Sequence, residues 1–168
     1  MRTVEWRGGR VAMIDQRALP HELIVVEYAD YRQVAAAIRD MVVRGAPAIG
    51  VTAAMGLALA ALRSTAADRP ALLRDLETAA KELRASRPTA VNLGWALDRL
   101  LRRATEESFD NADAIRTALV AEANAWLAAR GVRLVRVATQ GRNRAAINFY
   151  AGCGFRIGDV ELIFHRWF

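Results

Sequence analysis

The sequence predicts a mostly helical protein, α+β overall, with an N-terminal β-ribbon, a helical bundle and a small β-α-β-β tail. Near the N-terminus apolar and polar residues alternate, which is typical of strands. From about residue 30 to residue 130 apolar residues recur every three or four positions, which is typical of helices. After Gly131 the chain again becomes rich in β-branched residues. At 168 residues, 54% of them apolar, the chain is long enough to bury a core.

The first element is predicted to be a hairpin over residues 3–15. Val4 and Trp6 alternate with polar positions, residues 7–10 supply an Arg-Gly-Gly-Arg turn, and an apolar run returns at residues 11–14. A short β-prone run follows at residues 23–28. These segments form the predicted β-ribbon.

The first two helices are indicated by a change of period and by their starting residues. The first has Asp30 at the position of an N-cap. Its apolar face is predicted to consist of Val34, Ile38, Met41 and Val42. The second begins at Pro47, which is tolerated in a first turn because its missing N–H would be unpaired there anyway. The apolar stretch 46–62 is broken by glycines and a threonine, so we expect a buried helix rather than a membrane span.

Three further helices complete the predicted bundle. Pro70 opens an amphipathic helix that the Ser-Arg-Pro-Thr segment 86–89 breaks. Another helix is predicted from about Ala90 to Arg103, and a long last helix from about Asp110 to Arg130, where Gly131 would end it. The tail is then predicted to hold one strand, a short helix and two more strands.

The charge distribution gives little support to nucleic-acid binding. The net charge is +6, but residues 1–125 carry 17 cationic against 16 acidic side chains, and residues 126–168 carry 7 against 2. No basic recognition helix or set of stacking aromatics accompanies the excess in the tail. The one cysteine, Cys153, forms no internal disulfide, and no signal peptide is apparent, so we expect a cytoplasmic protein.

Two arginines stand immediately before predicted helices. Arg44 opens the segment Arg-Gly-Ala-Pro at residues 44–47, and Arg87 opens Arg-Pro-Thr at residues 87–89. A helix N-terminus presents unpaired N–H groups and a partial positive charge, so an arginine beside it favours binding of an anion such as phosphate. The alternative is that both are ordinary helix starts with solvated arginines.

Several long motifs, in the same order, resemble the N-terminal domain of methylthioribose-1-phosphate isomerases. They are Val-Glu-Trp at 4–6, Asp-Gln-Arg-Ala-Leu-Pro at 15–20, the segment 37–50 around Arg-Gly-Ala-Pro, and Arg-Pro-Thr-Ala-Val-Asn-Leu at 87–93 with Trp-Ala at 95–96. This family acts in methionine salvage and is related to the regulatory subunits of eukaryotic translation initiation factor 2B. The resemblance covers residues 1–122.

The resemblance implies that Arg44, Gly45, Ala46 and Arg87 contact the phosphorylated sugar, 5-methylthioribose 1-phosphate. We expect neither a cofactor nor a metal in this site. It also implies that catalysis uses a cysteine and an aspartate in a C-terminal Rossmann-like domain. We find no match to that domain, so we assign no catalytic residue and expect the chain to be catalytically incomplete. His21 follows Pro20 and is expected at the surface.

The tail resembles the end of GNAT-type N-acetyltransferases, in particular the dTDP-fucosamine enzymes. Five residues fit the pattern of that family: Asn143, Ala146, Tyr150, Gly154 and Phe155. The resemblance implies that Asn143 contacts acetyl-CoA and that Tyr150 protonates the leaving thiolate. The loop that holds the cofactor's pyrophosphate in the family is not found here, which argues against acetyl transfer.

The domain prediction is therefore residues 1–122 as an isomerase-like helical domain and residues 123–168 as an acetyltransferase-like fragment that shares the last helix. Three hypotheses for function stay open. The chain is an incomplete sugar-phosphate-binding domain, an acetyltransferase fragment, or a non-enzymatic assembly domain. The predicted strand 132–137 would pack on the bundle or mediate a homodimer, because an open sheet edge needs a cover.

Overall fold

The protein's computed structural model describes residues 3–129, with side chains up to residue 125. Three short strands are followed by five helices, as the sequence predicts for an α-dominated α+β fold. In order they are β1 (Val4–Arg7), β2 (Arg10–Ile14), β3 (Val25–Tyr28), α1 (Tyr31–Arg39), α2 (Ala46–Arg63), α3 (Arg69–Ser86), α4 (Val91–Thr105) and α5 (Ala112–Ala129).

The predicted hairpin is present and gains a third strand. β1 and β2 pair antiparallel with Val4 opposite Met13, and Gly8 and Gly9 occupy the turn with positive φ angles. β3 adds to the other edge of β2, with Val11 opposite Tyr28, so that the sheet order is β1-β2-β3. One face of β2 is buried against the helices, which is why its apolar positions are continuous with the core.

Helix α1 is shorter than predicted. Its N-cap is Asp30, as expected, whose carboxylate accepts the N–H of Arg32 while Gln33 completes a capping box. The helix ends at Arg39 in a Schellman motif, with the N–H of Val42 bonded to the carbonyl of Ala37 at 2.9 Å. The prediction that Met41 and Val42 belong to this helix was therefore wrong.

The Schellman motif explains the error physically. Met41 takes the left-handed conformation (φ 57°) that closes such a motif and is usually occupied by glycine. The turn places Met41 at the surface, 46% exposed, and returns Val42 to the core, 3% exposed. Because Val42 is buried in both arrangements, its apolar character alone could not show where the helix ends.

Helix α2 is the centre of the bundle. It packs against the four other helices and the sheet, and most of its residues are buried. It is long and apolar enough to cross a membrane by length and composition, but its surface lies mostly inside the fold, as expected for a core helix. Gly56 permits close packing here, since a Cβ at this position would lie 3.0 Å from Leu83 and 3.1 Å from Val34.

Ion pairs and hydrogen bonds fix the direction of the helices. Arg116, in the second turn of α5, donates to the carbonyls of Ala61 and Ser64, so α5 begins where α2 ends. α5 also begins near the end of α4, across a short loop, and returns along it through the Arg99–Glu122 pair (2.6 Å). Therefore α2 and α4 run in the same direction.

Helix α3 runs opposite to α4. Arg69 at its start donates to the carbonyls of Thr105 and Glu106 at the end of α4, and Arg84 near its end pairs with Asp98 at 2.5 Å. The loop that joins α3 to α4 consequently lies at the end of the bundle where α2 and α4 begin.

The predicted tail lies outside the described residues. This applies to the acetyltransferase-like residues Asn143 and Tyr150, to the predicted strand 132–137 and to the homodimer that it was expected to mediate. The predicted boundary between residues 122 and 123 falls within α5, whose first twelve residues bury Ile115, Leu119 and Ala123 against the bundle. The boundary stays a prediction.

Candidate functional site

The segment before α2 has the geometry expected for an anion site. Gly45 is the N-cap residue with φ 86°, a conformation that residues with a Cβ rarely adopt, and it offers no side-chain cap. Its carbonyl accepts the N–H of Ile49 at 3.0 Å. Within residues 3–129 the N–H groups of Ala46 and Ala48 have no hydrogen-bond acceptor, and Pro47 has no N–H group. Two N–H groups of this first turn are thus available to a ligand.

The start of α4 repeats this arrangement. Ala90 is the N-cap and again supplies no side-chain oxygen. Its carbonyl accepts the N–H groups of Leu93 and Gly94, and its own N–H donates to the carbonyl of Arg87 at 3.0 Å. In the described part of the chain the N–H groups of Val91 and Asn92 have no acceptor. An anion is favoured here for the same reason as at α2.

The other helices are capped by side chains. Asp30 caps α1, the carboxylate of Asp68 accepts the N–H of Ala71 at 2.7 Å before α3, and the amide oxygen of Asn111 accepts the N–H of Ala114 at 2.9 Å before α5. Among the five helices described, the two that lack a side-chain cap are therefore the two that an arginine-containing loop precedes. An acidic cap at either would repel an anion, so the absence of caps is consistent with ligand binding.

Both uncapped N-termini lie at the same end of the bundle, because α2 and α4 run in the same direction. Arg44 is exposed and Arg87 is half-buried. In the span from residue 3 to residue 129, neither guanidinium group forms a hydrogen bond or an ion pair. The structure thus brings the predicted residues Arg44, Gly45, Ala46 and Arg87 to one end, with two cations whose donors are not used by the fold.

Sequence reasoning missed a loop that supports this end. The amide oxygen of Gln16 accepts the N–H of Arg44 at 2.9 Å, and the N–H of Gln16 donates to the carbonyl of Val42 at 2.8 Å. Next to it, Arg17 and Asp15 form two parallel hydrogen bonds of 2.9 and 2.7 Å. These residues belong to the Asp-Gln-Arg motif, which is the signal from which the contact could have been inferred.

The Asp15 carboxylate is held in its charged form. The side-chain hydrogen bonds from Arg17 lower the pKa of Asp15 below its ordinary value, against a smaller opposing effect of burial, and the charge of Arg44 also contributes. Because Arg17 neutralises Asp15, this nearby carboxylate repels an anion at Arg44 less than a free one would.

A shallow cleft of about 330 Å³ lies directly after Arg87, at the α3–α4 junction. Val91 and Trp95 form its apolar side and are 82% and 41% exposed. Arg84 and Asp98, which pair with each other, form its polar side. The cleft adjoins the N-terminus of α4 and is large enough for a small organic group beside a phosphate.

One other expectation concerns a residue that was not assigned to the site. His21 is exposed in the loop before β3, as expected. Residues 3–129 contain no group of three or more His, Cys, Asp or Glu side chains that could hold a metal ion.

Comparison with known proteins identifies relatives over most of the described fold. The sequence model of the initiation factor 2 subunit family (IF-2B) matches residues 42–141. Methylthioribose-1-phosphate isomerase of Geobacter metallireducens is 50% identical over 122 residues, and that of Chloroflexus aurantiacus is 52% identical over 128 residues. These alignments cover 73% and 76% of this chain but only 35% and 37% of the relatives, so the chain spans about a third of their length.

Solved structures agree with the sequence matches. The 5-methylthioribose 1-phosphate isomerase of Pyrococcus horikoshii OT3 has 46% identity and a TM-score of 0.71, over 74% of this chain and 35% of that one. The delta subunit of translation initiation factor eIF-2B from A. fulgidus has 35% identity and a TM-score of 0.72, over 77% of this chain and 37% of that one. Since the family match takes in more than half of the residues and the fold agrees with it, the chain belongs to the initiation factor 2 subunit family.

Proposed function

We propose that this chain binds 5-methylthioribose 1-phosphate, as the N-terminal substrate-binding part of a methionine-salvage aldose–ketose isomerase. The observation that carries the proposal is the pairing of two uncapped helix N-termini with Arg44 and Arg87 at one end of the bundle. The similarity to isomerases that act on methylthioribose 1-phosphate supports the choice of substrate.

Each part of the site has a chemical task. A phosphate dianion would accept hydrogen bonds from the free N–H groups of Ala46 and Ala48, and Gly45 would let it approach the main chain closely. Arg44 and Arg87 would supply charge-assisted hydrogen bonds, each roughly twice as strong as a neutral one. No cofactor is required for this recognition.

Isomerisation itself would need a group that moves protons between neighbouring carbon and oxygen atoms of the sugar. Among residues 3–129 we assign no side chain to that task. The proposed role of this chain is therefore binding of a phosphorylated sugar, and the isomerase reaction would require residues supplied by another part of the protein.

The proposal can be tested by thermal unfolding with and without ligand. Methylthioribose 1-phosphate at about 100 times its Kd should stabilise the fold by about 2.7 kcal/mol, which raises the Tm of a chain of this size by roughly 5–10 °C. Arg44→Ala and Arg87→Ala should abolish most of this rise, because each removes a charge-assisted donor.

Arg102→Ala is the matched control. Arg102 is an exposed arginine in the last turn of α4, at the opposite end of the bundle from Arg44 and Arg87. Its loss changes the net charge equally and should leave the rise in Tm unchanged. If Arg102→Ala reduced the rise as much as Arg87→Ala, binding would be a general charge effect and the proposed site would be wrong.

Two other functions are distinguished by the same measurement. The similarity to the delta subunit of eIF-2B favours an assembly domain as the second candidate, and in that case the sugar phosphate would not change the Tm. None of the relatives named for this chain is an acetyltransferase. The acetyltransferase hypothesis, with Asn143 and Tyr150 at the cofactor, would be supported by a rise in Tm with acetyl-CoA and none with the sugar phosphate.

A further inference from the structure

We infer that Gln16 is a positioning residue, which holds the loop 42–45 so that Arg44 and the N-terminus of α2 can bind one anion together. The inference rests on the proposed function, since it assigns a role in the same site. It concerns a residue that would not touch the ligand but would fix the main chain of residues that do.

The geometry of the contact is specific. The side-chain amide oxygen of Gln16 accepts the backbone N–H of Arg44 at 2.9 Å. The backbone N–H of Gln16 donates to the carbonyl of Val42 at 2.8 Å. Since a backbone N–H needs an acceptor, the oxygen of the amide and not its nitrogen must face Arg44. Gln16 thus forms hydrogen bonds with the loop at two residues, Val42 and Arg44.

The loop depends on these two hydrogen bonds because few other polar contacts hold its exposed residues. It lies between two residues with positive φ, Met41 at 57° and Gly45 at 86°. Val42 and Val43 anchor the apolar side in the core, 3% and 0% exposed. Arg44 is exposed, and within residues 3–129 its side chain forms no hydrogen bond, so the bond from its N–H to Gln16 is the hydrogen bond that holds Arg44 in place.

Gln33 provides a matched control for a purely structural role. Its amide oxygen also accepts backbone N–H groups, those of Ala29 and Asp30 at 3.2 and 3.3 Å, before α1. Gln33 is exposed and α1 begins at the other end of the bundle, where Ala29 contacts Arg63 at the end of α2. Replacing either glutamine by methionine keeps its length and removes the acceptor.

The experiment compares Gln16→Met, Gln33→Met and the wild-type chain by calorimetric titration with methylthioribose 1-phosphate and by hydrogen exchange of the Arg44 amide. Gln16→Met should weaken binding about fivefold, the equivalent of one neutral hydrogen bond, and should speed exchange at Arg44. Gln33→Met should lower the Tm about as much as Gln16→Met does, because each removes one acceptor of a backbone N–H. It should leave the affinity and the exchange rate at Arg44 unchanged.

Gln16→Glu tests the same contact by rescue, since a carboxylate accepts the Arg44 N–H as an amide oxygen does and should restore slow exchange. Equal affinity in the wild-type chain and Gln16→Met would overturn the inference while the proposed function stands. A wild-type chain that binds no sugar phosphate would overturn both. Equal losses of affinity in Gln16→Met and Gln33→Met would show a general effect of stability and would also overturn the inference.

Discussion

At the scale of single residues, the loop before α2 depends on two left-handed backbone conformations. Gly45 occupies one and Met41 the other, with φ angles of 86° and 57°. A Cβ raises the energy of this conformation by about 1–2 kcal/mol, so Met41 is strained where a glycine would not be. The Schellman motif and the burial of Val42 maintain this conformation.

Met41→Gly should be more stable than Met41→Ala, which is the reverse of the order found for these residues in the interior of a helix. Both remove the same half-exposed side chain, so the difference between them reports backbone conformation alone. Because alanine keeps the strain at φ 57°, we expect the glycine variant to be more stable by about 1 kcal/mol. Urea unfolding measures this, and a more stable alanine variant would show that Met41 is not strained.

Asp15 should make stability depend on pH in the acidic range. Its pKa is lowered in the folded state by the hydrogen bonds from Arg17, so its contribution is present above the ordinary aspartate pKa of about 3.9 and is lost as the pH falls through the folded value. We expect Asp15→Asn to be less stable than the wild-type chain by about 1 kcal/mol at pH 7, a modest figure because Arg17 is half exposed.

The measurement is urea unfolding of both chains at pH 7 and at pH 3. At pH 3 the difference between them should shrink, because below the ordinary aspartate pKa the unfolded wild-type chain takes up a proton at Asp15 more readily than the folded chain, whose Asp15 pKa is lowered. A difference that stayed constant across this range would mean that Asp15 acts through packing rather than through its charge.

At the scale of secondary-structure elements, the sequence predicted which helices exist better than where they end. Leu72, Leu76 and Leu83 recur at helical spacing and are fully buried, so the period of α3 was visible. Helix ends depend on hydrogen bonds among a few atoms, and the residue that closes α1 is Met41, whose type gives no signal. Asp30, by contrast, is a typical N-cap and was predicted correctly.

A side-chain cap added to α4 should raise the stability of the fold and weaken the binding of the sugar phosphate. Ala90 has an extended backbone (φ −80°, ψ 93°) that an aspartate N-cap can adopt, so Ala90→Asp should stabilise α4 by about 1 kcal/mol. The same carboxylate would lie where we place an anion, so the affinity for methylthioribose 1-phosphate should fall at least tenfold. Urea unfolding and calorimetric titration of one variant measure the two effects.

Asp68→Ala is the opposite control. It removes the cap of α3, whose carboxylate accepts the N–H of Ala71 at 2.7 Å, and should cost about 1 kcal/mol. Its affinity for the sugar phosphate should not change, since α3 begins at the far end of the bundle. If Ala90→Asp were more stable and bound the ligand as well as the wild-type chain, the N-terminus of α4 would not belong to the site.

At the scale of the whole molecule, the meeting of the two arginine loops is a property of the packing. The sequence predicted both loops and gave each of them the same local chemistry, but left open whether they were ordinary helix starts. Only the direction of the helices, read from contacts such as Arg116 with Ala61 and Arg69 with Thr105, brings Arg44 and Arg87 to one end. Such contacts join residues more than thirty positions apart, which periodicity does not reveal.

Arg116 should therefore affect stability without affecting the site. Its guanidinium group donates to the carbonyls of Ala61, Ser64 and Ala66 and pairs with Asp113 at 2.6 Å, and its side chain is only 17% exposed. Arg116→Ala would leave carbonyl groups at the end of α2 without their partner, at a cost of about 2–3 kcal/mol in the free energy of unfolding.

Because these carbonyls lie at the end of the bundle opposite Arg44 and Arg87, the affinity for methylthioribose 1-phosphate should stay within about twofold of the wild-type value under conditions where the variant is folded. Arg116→Lys should be intermediate in stability, since an ammonium group cannot match the planar fork of donors. Urea unfolding and calorimetric titration of both variants test this. A loss of affinity that followed the loss of stability would mean that the two ends of α2 are coupled, and that the site depends on the whole bundle rather than on the loops at one end.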